Sequence, residues 1–97
     1  MMFTVLLTPT FQSWLEALRD VRAQVSIARR IERISAGNFG DVKPVGEGIS
    51  ELRVDVGPGY RVYFVQRGGH WVVILAGGDK SSQSRDIARA KQLVKEI

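Results

Sequence analysis

Apolar residues recur with one period up to about Gly40 and with another beyond it. The run Met2 to Leu7 reads as a short strand. Thr8 and Pro9 follow as a helix cap and a proline at the first helical position. Phe11, Trp14, Leu15 and Leu18 then recur at i, i+3, i+4 and i+7, which predicts an amphipathic helix. Asp20 interrupts this pattern. Ile27, Ile31 and Ile34 mark a second helix, with Arg22, Arg29, Arg30 and Arg33 off its apolar stripe and Gly37-Asn38 as its stop. Together the two helices predict an αα-hairpin.

Past Gly40 the period falls to two. Glycines and prolines punctuate the chain at Pro44, Gly46, Gly48, Gly57, Pro58 and Gly59. From Ile49 to Val56 apolar and polar residues alternate, predicting a strand; Gly57-Pro58-Gly59 turns the chain and Tyr60 to Gln66 predicts a second strand. Gly68-Gly69 signals a hairpin turn. Trp71 to Ala76 is nearly all apolar, as in a strand buried on both faces, and Gly77-Gly78 closes it. Ile87, Ala90, Val94 and Ile97 return to helical spacing, with Ser81, Ser82 and Ser84 available as caps. The expected fold class is α+β in the order β-α-α-β-β-β-α: an antiparallel meander with the N-terminal αα-hairpin packed on one face. Residues 1–97 are expected to form one domain, without repeats or linkers.

Composition narrows the function classes. The chain has 97 residues, 44% hydrophobic and 25% charged, as a globular domain would. Having no cysteine and one histidine, His70, it offers neither a disulfide framework nor a structural zinc site. No cofactor is expected. The longest apolar run, Trp71 to Ala76, is far short of the roughly 20 residues that span a bilayer, and the N-terminal apolar stretch lacks a basic leader. A cytoplasmic protein without a membrane partner is expected. The net charge of +4 and a pI near 10.0 suggest an anionic partner. Residues 36 to 80 nevertheless carry five basic and five acidic groups, so a basic site there must come from placement.

Alternation supplies the placement. If Ile49, Leu52 (with a small irregularity), Val54 and Val56 face the helices, Glu51, Arg53 and Asp55 face away. Val62 and Phe64 in the core put Arg61 and Tyr63 on the same outer face as Arg53, with Lys80 just past the third strand. Such a strand is usually only a solvated face. Two neighbouring arginines, however, repel unless an anion bridges them, and arginine beside tyrosine suits RNA, which is read by stacking and by cations. His70 reads as a solvated turn residue, and Trp14 and Trp71 as core. The run Gly77 to Ser82 lacks P-loop spacing and a βαβ unit, which excludes nucleotide binding of that type.

The blocks Glu51-Leu52-Arg53, Gly59-Tyr60-Arg61-Val62 and Gly77-Gly78-Asp79-Lys80-Ser81, with Thr10 to Leu15 upstream, resemble the HigB-like branch of the RelE/ParE superfamily, the addiction module killer proteins. The resemblance covers essentially the whole chain. It implies a RelE-like fold and the toxin of a type II toxin–antitoxin pair, most often a ribosome-dependent mRNA endonuclease, or in the ParE branch a DNA gyrase inhibitor. Its implied partners are mRNA on the ribosome and a cognate antitoxin, a small helix-turn-helix protein, in a hetero-oligomer. A non-catalytic nucleic-acid- or antitoxin-binding module is a further alternative. Arg53, Arg61 and Lys80 match the positions that hold and activate the scissile phosphate. Arginine stays protonated, so Arg53 and Arg61 are assigned to phosphate charge, Lys80 to acid or base, Glu51 or Asp55 to the other base, and Tyr63 to stacking or orienting. The lysine pair common in related sequences is Asp79-Lys80 here, and no tyrosine or histidine follows Lys80. Arg29, Arg30 and Arg33 are assigned to an exposed face or an antitoxin contact.

Overall fold

The computed structural model describes residues 2–97, and its elements follow the capping chemistry closely. Strand β1 (Thr4–Leu7) leads into helix α1 (Pro9–Ala17), where the Thr8 hydroxyl accepts from the Phe11 N–H and donates to the Leu75 carbonyl. Asp20, which breaks the first apolar pattern, caps helix α2 (Val21–Ser35) by accepting from the N–H groups of Arg22 and Ala23. Gly37, at φ 89°, ends α2, with Asn38 N–H returning to the Arg33 carbonyl.

Four further strands follow: β2 (Val42–Gly46), β3 (Ile49–Val54), β4 (Tyr60–Arg67) and β5 (Trp71–Asp79). A short 3-10 turn (Lys80–Ser82) then leads into helix α3 (Gln83–Val94). The order in the sheet is β1-β5-β4-β3-β2, antiparallel except for the parallel pair β1–β5. The expected order thus lacked β2, an edge strand where Pro44 forfeits no ladder bond on its solvent side. It turns into β3 through Glu47 and Gly48, both at positive φ (54° and 78°).

The sheet is covered on both faces, not one. On the first face α1 and α2 bury Phe11, Ile27 and Ile34 against Leu52, Val54, Val62, Phe64, Val72 and Ile74. On the second, α3 lays Ile87, Ala90, Leu93 and Val94 over Ile49, Tyr63, Val65, Leu75 and Ala76. Ile49 therefore faces α3 and Leu52 the other helices with no irregularity in the β3–β4 pairing; the shifts in pairing lie instead between Tyr63 and Phe64, opposite β5, and between Pro44 and Gly46 of β2. Gly77 and Gly78 do not end β5. Their missing side chains let helices approach: a methyl on Gly77 would meet the Trp14 ring, and one on Gly78 would overlap the Asp86 carboxylate and the Ser82 hydroxyl. Gly78→Ala is expected to push the first turn of α3 off the sheet and destabilise by about 1–3 kcal/mol, the range for overpacking. Thermal unfolding followed by circular dichroism checks it, and an unchanged midpoint would contradict this packing.

Candidate functional site

The outer residues of β3 and β4 meet in pairs across the ladder. Arg53 stands opposite Arg61, and Glu51 opposite Tyr63, while β5 places Gly78 beside Arg61. The two arginines are thus side by side, where like charges repel. The anion between them is the protein's own. Glu51 is fully buried; its Oε2 accepts from Arg53 Nε at 3.2 Å and its Oε1 lies 3.6 Å from Arg61 Nε. Gln83, the first residue of α3, donates its side-chain amide to the same Oε1. Arg30 fastens β3 from the other face, donating to the Arg53 carbonyl at 2.8 Å and reaching the Phe39 carbonyl. Neither Gln83 nor Arg30 has a local sequence signal for this; both lie more than twenty residues from the residue they grip.

Access decreases inward. The Arg53 side chain is 36% exposed, that of Arg61 13%, and that of Glu51 not at all. Both carboxylate oxygens of Glu51 are engaged, so it holds the arginines in place and has no free lone pair facing solvent. Tyr63 lies completely buried beneath α3, which corrects its placement on an open face: it cannot stack on a base there. Burial, then the charges of Glu51 and Asp86, push its phenol well above the usual range against a smaller pull from Arg61. Tyr63 Oη and Arg61 Nε are buried without a hydrogen-bond partner. Such groups cost stability, so core packing alone does not explain this cluster.

The other expected residues lie around it. Lys80 is exposed at the end of β5 and runs its aliphatic stem against Gly59, two residues before Arg61. That is roughly 7 Å along the strand. Ser81, through its hydroxyl and then its N–H, holds the neighbouring Asp79 carboxyl below its usual range. Asp55 is exposed past the end of β3, in a depression with Arg29, Arg30 and Arg33 from α2, on the far face from Glu51. His70 is exposed in the β4–β5 turn; Trp71, expected in the core, is 37% exposed there, whereas Trp14 packs against Phe11 and Tyr60. Among the described residues no cluster of His, Cys, Asp and Glu could hold a metal ion, and no helix is long and apolar enough to cross a membrane.

Known proteins resemble this chain in fold and in sequence. A solved structure described as the toxin–antitoxin complex RelBE2 from Mycobacterium tuberculosis contains a chain that superposes with a TM-score of 0.66. The match covers 82% of this chain and all of that one, at 24% identity, which makes it a likeness of fold. A Haemophilus influenzae protein described as uncharacterized is 52% identical over 90 residues, 93% of this chain and 91% of that protein. The family model described as phage derived protein Gp49-like (DUF891) matches residues 13–95, a span running from α1 through the arginine ladder to the end of α3. The chain belongs to this Gp49-like family of phage-derived proteins.

Proposed function

We propose that the protein is the toxin of a toxin–antitoxin pair and acts as a metal-independent, ribosome-dependent mRNA endonuclease. The observation that carries this reading is the Arg53–Arg61 pair on adjacent strands, aligned by a buried carboxylate. The net charge of Glu51, Arg53 and Arg61 is +1, so the cluster attracts an anion although its internal repulsion is relieved. Two guanidinium forks side by side suit the non-bridging oxygens of one phosphate.

The chemistry follows from the charges. The ribose 2′-hydroxyl releases its proton to solvent water as its oxygen attacks phosphorus, the bond to the 5′-oxygen breaks to leave a 2′,3′-cyclic phosphate, and negative charge grows on the non-bridging oxygens. Arg53 and Arg61 stabilise that charge. Lys80, the accessible group with a proton to give, donates it to the departing 5′-oxygen. Glu51 serves as the positioning residue of the pair, and the neutral Tyr63 beneath it takes no proton at working pH. The toxin–antitoxin likeness of fold supports an antitoxin partner, which we propose to be a small helix-turn-helix protein encoded next to the toxin.

Controlled expression followed by mapping of cellular mRNA 5′ ends tests the reading. Codon-phased cuts that disappear when translation is blocked are expected, with growth restored by the antitoxin. Intact mRNA together with loss of DNA supercoiling would establish a gyrase inhibitor instead.

A further inference from the structure

Strand β1 ends at Leu7, opposite Ile74, so the last part of β5 has no strand neighbour on that side. A cleft of about 260 Å³ opens there, between α1 and α3. Its floor is Ala76 and Gly77, one wall is the part-exposed Trp14 with Thr10, and the other is Arg85 and Arg89, one turn apart on α3. The single carboxylate lining it, Asp86, already accepts from the Ser82 hydroxyl. Among the described residues neither Arg85 nor Arg89 is ion-paired, and both are exposed. Position matters as much as composition: Gly77 borders Gly78, which pairs with Arg61. The cleft floor therefore lies about one strand spacing, ~5 Å, from Arg61 and about two from Arg53.

We infer that this cleft is an RNA subsite that holds a nucleotide flanking the scissile phosphate, with its base against the Trp14 indole and adjoining phosphates on Arg85 and Arg89. The inference rests on the nuclease reading for the identity of that phosphate. An indole beside two unpaired guanidiniums provides a stacking surface and an electrostatic track, the combination single strands require. An acidic peptide added as a strand fits less well. The open edge runs only from Ala76 to Asp79, since the Leu75 carbonyl is taken by Thr8, and is walled by two helices, whereas the register of an added strand is set by a longer ladder.

The probe is a single-stranded hexaribonucleotide with every 2′-oxygen methylated, which cannot be cleaved. In a Trp71→Phe background, where Trp14 is the remaining indole, binding should quench its emission. Arg85→Gln/Arg89→Gln should bind the probe about tenfold or more weakly. Its log–log salt slope should fall by about 1.4, two single-strand phosphates at about 0.7 each. Unchanged affinity and slope in the double variant would overturn the subsite, as would binding of an acidic heptapeptide, but not the RNA, through the same arginines. Arg85- and Arg89-dependent binding of the probe by a protein that leaves cellular mRNA intact would uphold the subsite and remove the nuclease reading.

Discussion

Replacing Glu51 with alanine is expected to destabilise the protein by about 2–3 kcal/mol, more than a polar strand residue normally would. Removing one partner of a buried charge pair costs about 3–5 kcal/mol because the other charge is left without compensation. Here the abandoned charges are Arg53 and Arg61, facing each other across β3 and β4. Arg53 is 36% exposed and can swing into water, which lowers the expected cost; Arg61, at 13%, has less freedom. Gln83 loses its acceptor as well. Urea unfolding measures the change: the midpoint should fall with the slope unaltered. Glu51→Gln keeps the acceptor oxygen for Gln83 but not the charge, and should fall between. The double variant Glu51→Ala/Arg61→Ala should be less destabilised than the sum of the two singles, because one of the stranded charges has gone. A strictly additive result would mean that Glu51 does not bind the two strands' arginines together.

Much of this cluster is legible in the sequence. The turn at Gly57-Pro58-Gly59 and the alternation on either side placed Arg53, Arg61, Glu51 and Tyr63 on one face of adjacent strands, and β3 and β4 pair that way. What alternation cannot tell is whether the second face is wet. The stripe Ile87, Ala90 and Val94 needed an apolar surface, and with α1 and α2 occupying one face of the sheet only the other remained. That packing buries Tyr63 and closes Gln83 over Glu51, a contact 32 residues apart in sequence. Strand β2 carries no alternation signal because Val42-Lys43-Pro44-Val45-Gly46 is short and interrupted by proline, with a pairing irregularity at its end. The parallel partnership of β1 with β5 had no local signal either; it is set by where α1 and α2 return the chain. Gly77 and Gly78 looked like a strand end because glycine usually punctuates, but here they admit Trp14 and Asp86.

Arg61→Ala is expected to separate the chemistry from the fold. The truncation leaves Glu51 with its bonds from Arg53 and Gln83, so no buried carboxylate is stranded, and the buried Nε that lacks a hydrogen-bond partner disappears with the side chain. Its stability cost should be about 1 kcal/mol, within the usual range for a point substitution and below that of Glu51→Ala. The effect on cleavage should be far larger. Removing one preorganised donor aimed at developing oxyanion charge lowers rates by about 10²–10³-fold, enough to abolish growth arrest at expression levels where the parent protein is lethal. Arg61→Lys retains the charge but not the planar fork, so it should recover only part of the loss. Cleavage of ribosome-bound mRNA in a purified translation system, beside urea unfolding of the same preparations, provides both readings. A folded Arg61→Ala variant that cuts at the parent's rate would remove Arg61 from the chemistry and leave the arginine ladder a structural device. A variant that is inactive because it is unfolded would instead show that Arg61 supports the sheet, against the asymmetry between Glu51 and its two arginines argued above.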